Sequence, residues 1–325
     1  MRRREFITLV SGAAAWPLAA RAQQSAMPVI GFLRNTAATG YNPMVTAFVQ
    51  GLKEAGFVAG ENVAIEYRWA DNQNDRLPAL AADLVRRQVT VIMAAGIPAA
   101  LAAKAATTTI PIVFEMADDP VEIGLVVSLN RPGGNLTGVT TLNVELAPKR
   151  LELLHEIVPT TRGIALLVDA GNPVNERLST DMQTAAQTLG LQLHVLHART
   201  ERDFDTVFAS LVQMRVGALV MNNGPLFLNR VEQLAALTVR HAVPTISAYR
   251  EFTAAGGLMS YGGSLTEAYR LTGVNVSRIL KGERPANLPV QQATKVELSI
   301  NLKAAKALGL TMPQSLRATA DEVIE

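Results

Sequence analysis

The 325-residue chain contains no cysteine. That excludes disulfides, thiolate metal sites, a cysteine nucleophile and a lipid anchor on an N-terminal cysteine. Histidine is scarce as well, and the four present are His155, His194, His197 and His241. His194 and His197 fall on an expected strand, where positions i and i+3 face opposite sides, so they do not form one chelating pair. His155 and His241 sit late in expected helices, where a cation suits the negative helix end. The nucleophile elbow G-x-S-x-G, the P-loop G-x-x-x-x-G-K-[ST] and the dinucleotide pattern G-x-G-x-x-G are all missing. Neither charge sign dominates. Of 30 basic and 28 acidic residues, four and one lie in residues 1–22, which leaves 26 and 27 in the rest. A nearly neutral body offers no electrostatic footprint for nucleic acid. Beyond residue 22 no run of 18 apolar residues escapes a charge or a proline, so no later segment reads as a membrane span.

What is present begins with an address. Arg2-Arg3-Arg4 is a basic start, 6–20 is an apolar stretch, and Ala20-Arg21-Ala22 is an A-x-A cleavage site. Arg3-Arg4-Glu5-Phe6-Ile7 fits the twin-arginine pattern, although general secretion is compatible with the same residues. Residues 1–22 are therefore expected to be an export signal and the mature protein to be soluble and periplasmic.

With 49% hydrophobic residues the chain can bury large cores. Short β-branched runs alternate with amphipathic helical stretches, the mark of parallel sheets with crossover helices. One set of strands is expected at 29–33, 63–67, 91–94, 112–114 and 138–141. A second set is expected at 164–168, 191–196, 218–221, 245–247 and 258–260. A long helix over 265–281, a strand over 295–300 and a helix over 302–308 follow. Continuous apolar runs such as Ile164-Ala165-Leu166-Leu167-Val168 suit strands covered on both faces. A link near 143–145 separates the sets, so the expected fold is α/β with two similar Rossmann-like lobes, not one closed barrel. The division reads as 28–143 for the first lobe, 144–261 for the second and 286–325 for a tail.

Ligands of open parallel sheets bind outside the carboxyl ends of the strands. The loops at those ends supply the candidate binding residues Asn35, Thr36, Gly96, Ile97, Pro98, Ala117, Asp118, Asn143, Asp169, Asn172, Asn222 and Tyr249. The loops are rich in Asn, Thr, Asp, Gly and Tyr, which hydrogen-bond a small polar molecule without supplying chemistry. Glu115, Asp118 and Asp119 form an acidic cluster at one strand end, too little by itself for a hydrolase or metal site. Asp119, before Pro120, reads as a cap, which leaves Asp118 to face the cleft.

Several segments carry a resemblance. They are Ala94-Ala95-Gly96-Ile97-Pro98-Ala99-Ala100, Asp119-Pro120-Val121, Gly124-Leu125-Val126, Arg131-Pro132-Gly133-Gly134-Asn135-Leu136-Thr137-Gly138-Val139 and Ile300-Asn301-Leu302-Lys303. Over roughly 28–325 the chain resembles the periplasmic substrate-binding proteins of ABC transporters with the type I binding-protein fold, and within them the tryptophan- and tyrosine-binding group. Ile97 departs from the pattern, since many members carry threonine there. The resemblance implies lobes joined by a hinge, with crossings near 142–146, near 254–264 and later in the tail. Residues 262–285 would return to complete the first lobe. It also implies a monomer that closes around one small molecule and docks to a membrane permease, with no cofactor, metal or covalent step. Amino acids, aromatic ones above all, or related carboxylates are the implied ligands. Asp118 would pair with an ammonium, and the helix starts at Ile97-Pro98 and Asn172-Pro173 would hold a carboxylate. Arg34 or Arg250 would instead clamp an acid without an amine. Of the aromatics, Tyr41, Tyr249 and Tyr261 lie near the cleft loops. A sensor subunit for a receptor would have the same fold, and an enzyme on a related scaffold is the remaining alternative.

Overall fold

In the computed structural model of the protein, residues 27–38, 42–141, 143–170 and 175–325 are described. The expected export signal, Tyr41 and Asn172 lie outside them.

The first sheet grows from repeated β-α steps. β1 (Val29–Arg34) leads through α1 (Asn42–Glu54) to β2 (Ala64–Trp69), and α2 (Leu77–Arg86) leads to β3 (Val91–Ala95). Then come α3 (Ile97–Ala106), β4 (Ile112–Met116) and β5 (Leu136–Thr140). β3 and β4 are buried at every position, which explains why β3 reads Val-Ile-Met-Ala-Ala without polar alternation. The second sheet repeats the scheme with α4 (Ala147–Ile157), β6 (Gly163–Asp169), α5 (Asn175–Thr188), β7 (Gln192–Ala198) and α6 (Asp203–Gln213). β8 (Ala218–Met221), α7 (Pro225–Asn229), α8 (Val231–Arg240), β9 (Thr245–Ser247), α9 (Arg250–Ala254) and β10 (Met259–Gly263) complete it.

The chain then returns. α10 (Leu265–Leu280) packs along α1 and over β3, β4 and β5, on the first sheet. Its start is capped by Ser264, whose hydroxyl accepts from the Glu267 N–H at 3.5 Å. β11 (Gln291–Gln292) adds an edge strand to the first sheet. β12 (Val296–Asn301), α11 (Leu302–Ala307), α12 (Gln314–Thr319) and β13 (Glu322–Ile324) belong with the second. The sheet orders are β11-β5-β4-β3-β1-β2 and β13-β12-β10-β9-β8-β6-β7. All pairings are parallel except β10 with β12, which run antiparallel. The expected α/β fold with two mostly parallel sheets is therefore what forms. The chain passes between the sheets three times: from β5 to α4, from β10 to α10 and from β11 to β12.

Each sheet is sandwiched between two layers of apolar side chains. Ile30, Phe32, Phe48 and Tyr269 fill one side of the first sheet, and Leu33, Leu84, Ile92 and Phe114 the other. The second sheet is covered by Leu166, Val220 and Met182 on one side and by Leu167, Phe204 and Phe208 on the other. Among the described residues no helix is long and apolar enough to cross a membrane.

Candidate functional site: a cleft between the strand ends of two sheets

The carboxyl ends of both sheets border a cavity enclosing about 730 Å³ of empty space, part of it open to solvent. Eight of the expected residues line it: Asn35, Gly96, Ile97, Pro98, Ala117, Asp118, Asp169 and Tyr249. Gly96 stands between β3 and α3 at φ 87°, a left-handed conformation that glycine adopts without a Cβ clash. The turn aims the start of α3 at the cavity, with Pro98 in its first turn.

Three expected residues lie elsewhere. Thr36 is fully buried, and its hydroxyl accepts from Arg34 Nε at 2.9 Å, so it holds Arg34 and does not line the cavity. Asn143 is buried at the first crossing, where its Oδ1 accepts from the Gly263 N–H at 2.6 Å. Asn222 is buried against Arg150, whose Nη2 approaches its Oδ1 at 3.5 Å. Its neighbour Asn223 lines the cavity instead. The alternation of β8 explains the exchange. Ala218 and Val220 face the side covered by α4, and Leu219 and Met221 the other, so continued alternation sends Asn222 toward α4 and Asn223 away from it. Arg250 is not at the cavity either; its guanidinium donates to both oxygens of Glu322, at 2.9 and 3.0 Å. Asp119 caps a turn and not a helix, accepting from the Val121 N–H at 2.7 Å.

The floor on the first-lobe side is charged. Arg34 and Glu115 lie on the face of the first sheet that α10 covers. The Arg34 guanidinium donates to the Tyr269 hydroxyl, and its carbon stands 5.7 Å from that ring's centre. Glu115 is 3.9 Å from the same guanidinium. Burial pushes the Glu115 carboxyl up to about 7 despite the opposing pull of Arg34. The Asp118 carboxyl is also pushed up to about 7, by burial first and then by the negative charges of Glu145 and Glu115. Asp118 is 5% exposed, and its Oδ1 has no hydrogen-bond partner within the chain. The same holds for Asn35 Oδ1 and Asn223 Oδ1. Three unmet acceptors, two from the first sheet and one from the second, thus border one cavity.

The remaining wall includes apolar groups the sequence reading did not select: Met116, Leu228 and Leu265, with Asn74 and Pro225 beside them. Leu228, from α7, packs into the first-lobe cluster with Leu265 and Tyr249. Asn229 Nδ2 donates to Asn72 Oδ1 across the cleft at 3.1 Å, and Arg177 forms an ion pair with Glu122. Among the described residues no group of three or more His, Asp or Glu side chains is arranged to hold a metal ion.

Two α/β lobes joined by three connections, with a cavity between their strand ends, define a two-lobed binding protein. Residues 29–324 match the ABC transporter substrate binding protein family, and the chain belongs to it. The resemblance drawn from the sequence motifs thus agrees with the family. The chain is 26% identical over 265 residues to the tyrosine-binding protein of Clostridioides difficile strain R20291, covering 81% of this chain and 75% of that one. Among solved structures it is similar to an ABC domain from Streptococcus pneumonia in complex with L-Trp, at 22% identity and TM-score 0.83, covering 91% and 99% of the two chains. It is also similar to the ligand-free, open structure of a substrate binding protein with adhesive properties from Clostridium difficile. That match has 24% identity and TM-score 0.67, over 92% and 99% of the chains.

Proposed function

We propose that this chain is the periplasmic solute-binding component of an ABC importer. It closes around one primary amine, an aromatic amino acid, and delivers it to a membrane permease. Export would use residues 1–22, and the closing bodies would be 28–143 with 262–285 on one side and 144–261 on the other.

The observation that carries the ligand assignment is the set of three buried, unmet acceptors, Asp118 Oδ1, Asn35 Oδ1 and Asn223 Oδ1. A primary ammonium has three N–H donors and one positive charge, which answers three acceptors of which one is anionic. An acid without an amine brings no cationic donor, and the nearest guanidinium, Arg34, is already engaged with Thr36, Tyr269 and Glu115. The ligand carboxylate has the first turn of α3 available, at the positive helix end. Met116, Leu228, Leu265 and Tyr249 give an apolar wall for a ring. The tyrosine-binding relative and the L-Trp complex support the same class. The contacts across the cleft, Asn229 with Asn72 and Arg177 with Glu122, support a closed arrangement of the lobes.

Calorimetry with L-tyrosine, L-tryptophan and their des-amino analogues tests this. A charge-assisted hydrogen bond contributes about 1.5–3 kcal/mol, so Asp118→Ala should weaken amino-acid binding by roughly ten- to a hundredfold. Binding of the des-amino acids should change little. Equal losses for both ligand series would reject the ammonium seat.

A further inference from the structure

Behind the cleft, where the chain crosses between the sheets, lies a buried guanidinium with no ionic partner. Arg150 is 0% exposed and sits in the first turn of α4, the positive end of the helix and thus an unfavourable place for a cation. Its Nη1 donates to the Tyr261 carbonyl at 3.1 Å and its Nη2 to the Asn143 carbonyl at 2.8 Å. Those two carbonyls come from the segments that form the first and second crossings. Among the described residues no carboxylate lies within ion-pair distance of Arg150. The charged and titratable groups acting on it are Tyr249, Tyr261 and Glu145. Burial lowers its pKa only to about 10, so it stays positive at neutral pH.

Around this charge the hydrogen-bond inventory is donor-rich. Arg150 Nε, Asn143 Nδ2 and Asn222 Nδ2 are buried and have no acceptor within the chain. The amide orientations follow from their other bonds. Asn143 Oδ1 accepts from the Gly263 N–H, and Asn222 Oδ1 faces Arg150 Nη2, which leaves each Nδ2 as the unmet end. Thr141 Oγ1, beside Gly263, is buried and unmet as well and can donate. Unmet buried donors are costly, and a buried charge without a counter-ion in contact costs more. A water molecule accepts two of these bonds but adds two donors of its own and no charge. A monatomic anion accepts several and neutralises the guanidinium.

We propose that the hinge cluster of Arg150, Asn143 and Asn222 binds one small inorganic anion of the size and charge of chloride. This site is separate from the ligand cavity, which none of the three side chains lines. An anion there ties the first crossing to the second through Arg150, so it stabilises the hinge itself.

The test uses the unaltered mature protein first. In crystals grown in sodium bromide, an anomalous peak is expected in contact with Arg150 Nε. In solution, chloride should raise the midpoint of thermal unfolding saturably, by about 2–4 °C, relative to sodium gluconate at equal ionic strength. Asn222→Asp places a carboxylate beside Arg150 and should abolish the difference between the salts. Density without anomalous signal, which is water, overturns the proposal. So does an unfolding midpoint that responds identically to both salts.

Discussion

Asp118 and Glu115 place two carboxyls in the same cavity wall, both with pKa raised to about 7. For the free protein the sign follows directly. A carboxyl whose folded pKa is raised stabilises the fold fully below its unfolded value, near 4, and that contribution is lost as pH rises through the folded value. The unliganded wild type should therefore lose stability between pH 4 and pH 7 from these groups, and Asp118→Asn should flatten the profile, as read by chemical denaturation. Binding runs the opposite way, because only the ionised Asp118 pairs with an ammonium. Affinity for L-tyrosine should rise from pH 6 to pH 8 in the wild type and stay level in Asp118→Asn. Eight lining residues were legible because they sit in the loops at strand ends, where the fold puts ligands. Asn222 and Asn223 were confused because two adjacent asparagines carry no signal beyond strand parity, and parity needs the register of β8. Arg34 ends β1 and Glu115 lies near the end of β4, with β3 between them, so their pairing depends on the strand order, which no local pattern encodes.

Most of the elements that set the site are long and mutually supported, and those are the ones the residue pattern reveals. β11, of two residues, and β13, of three, are too short to show any alternation. α7 and α9, of five residues each, complete barely more than one turn. α10 was recognisable from its amphipathic period, but its seat was set by glycine. A Cβ built on Gly51 would fall 2.0 Å from the Arg270 carbonyl oxygen, and one on Gly273 2.2 Å from that of Phe48. The two helices therefore approach backbone to backbone. Arg270 closes the crossing outside, bonding Glu267 and Glu54. Gly273→Ala adds a favourable helix former on propensity alone, yet here its methyl group must separate α1 from α10. The clash should dominate, with a net loss of about 1–3 kcal/mol in urea denaturation. A gain in stability would mean that the helices part freely and that close approach is not what holds α10 to the first lobe.

At the scale of the whole molecule, the lobes touch on both sides of the ligand cavity but by little. Leu228 packs into the first-lobe cluster that holds Leu265, Asn229 bonds Asn72, and Arg177 pairs with Glu122. Both members of the ion pair are about half exposed, at 46% and 47%. Such a pair contributes about 0.2–1 kcal/mol, and Arg177 has a second carboxylate, Asp181, at 3.5 Å within its own helix. These contacts exist only while the lobes are together, so they favour the closed form without selecting a ligand. The ligand must supply the larger share through its differential affinity for that form. Arg177→Ala should therefore weaken binding by at most about fivefold, with the loss in the dissociation rate, since opening precedes release. It should fall equally on amino acids and des-amino analogues, unlike the Asp118 variant. Small-angle scattering supplies the structural half of the test. Saturating L-tyrosine should shrink the radius of gyration of wild type and Arg177→Ala alike, with the variant needing more ligand to reach the same end point. Identical profiles with and without ligand would mean that the lobes do not hinge. A variant whose loss depended on the ligand's amine would mean that Arg177 belongs to recognition and not to closure.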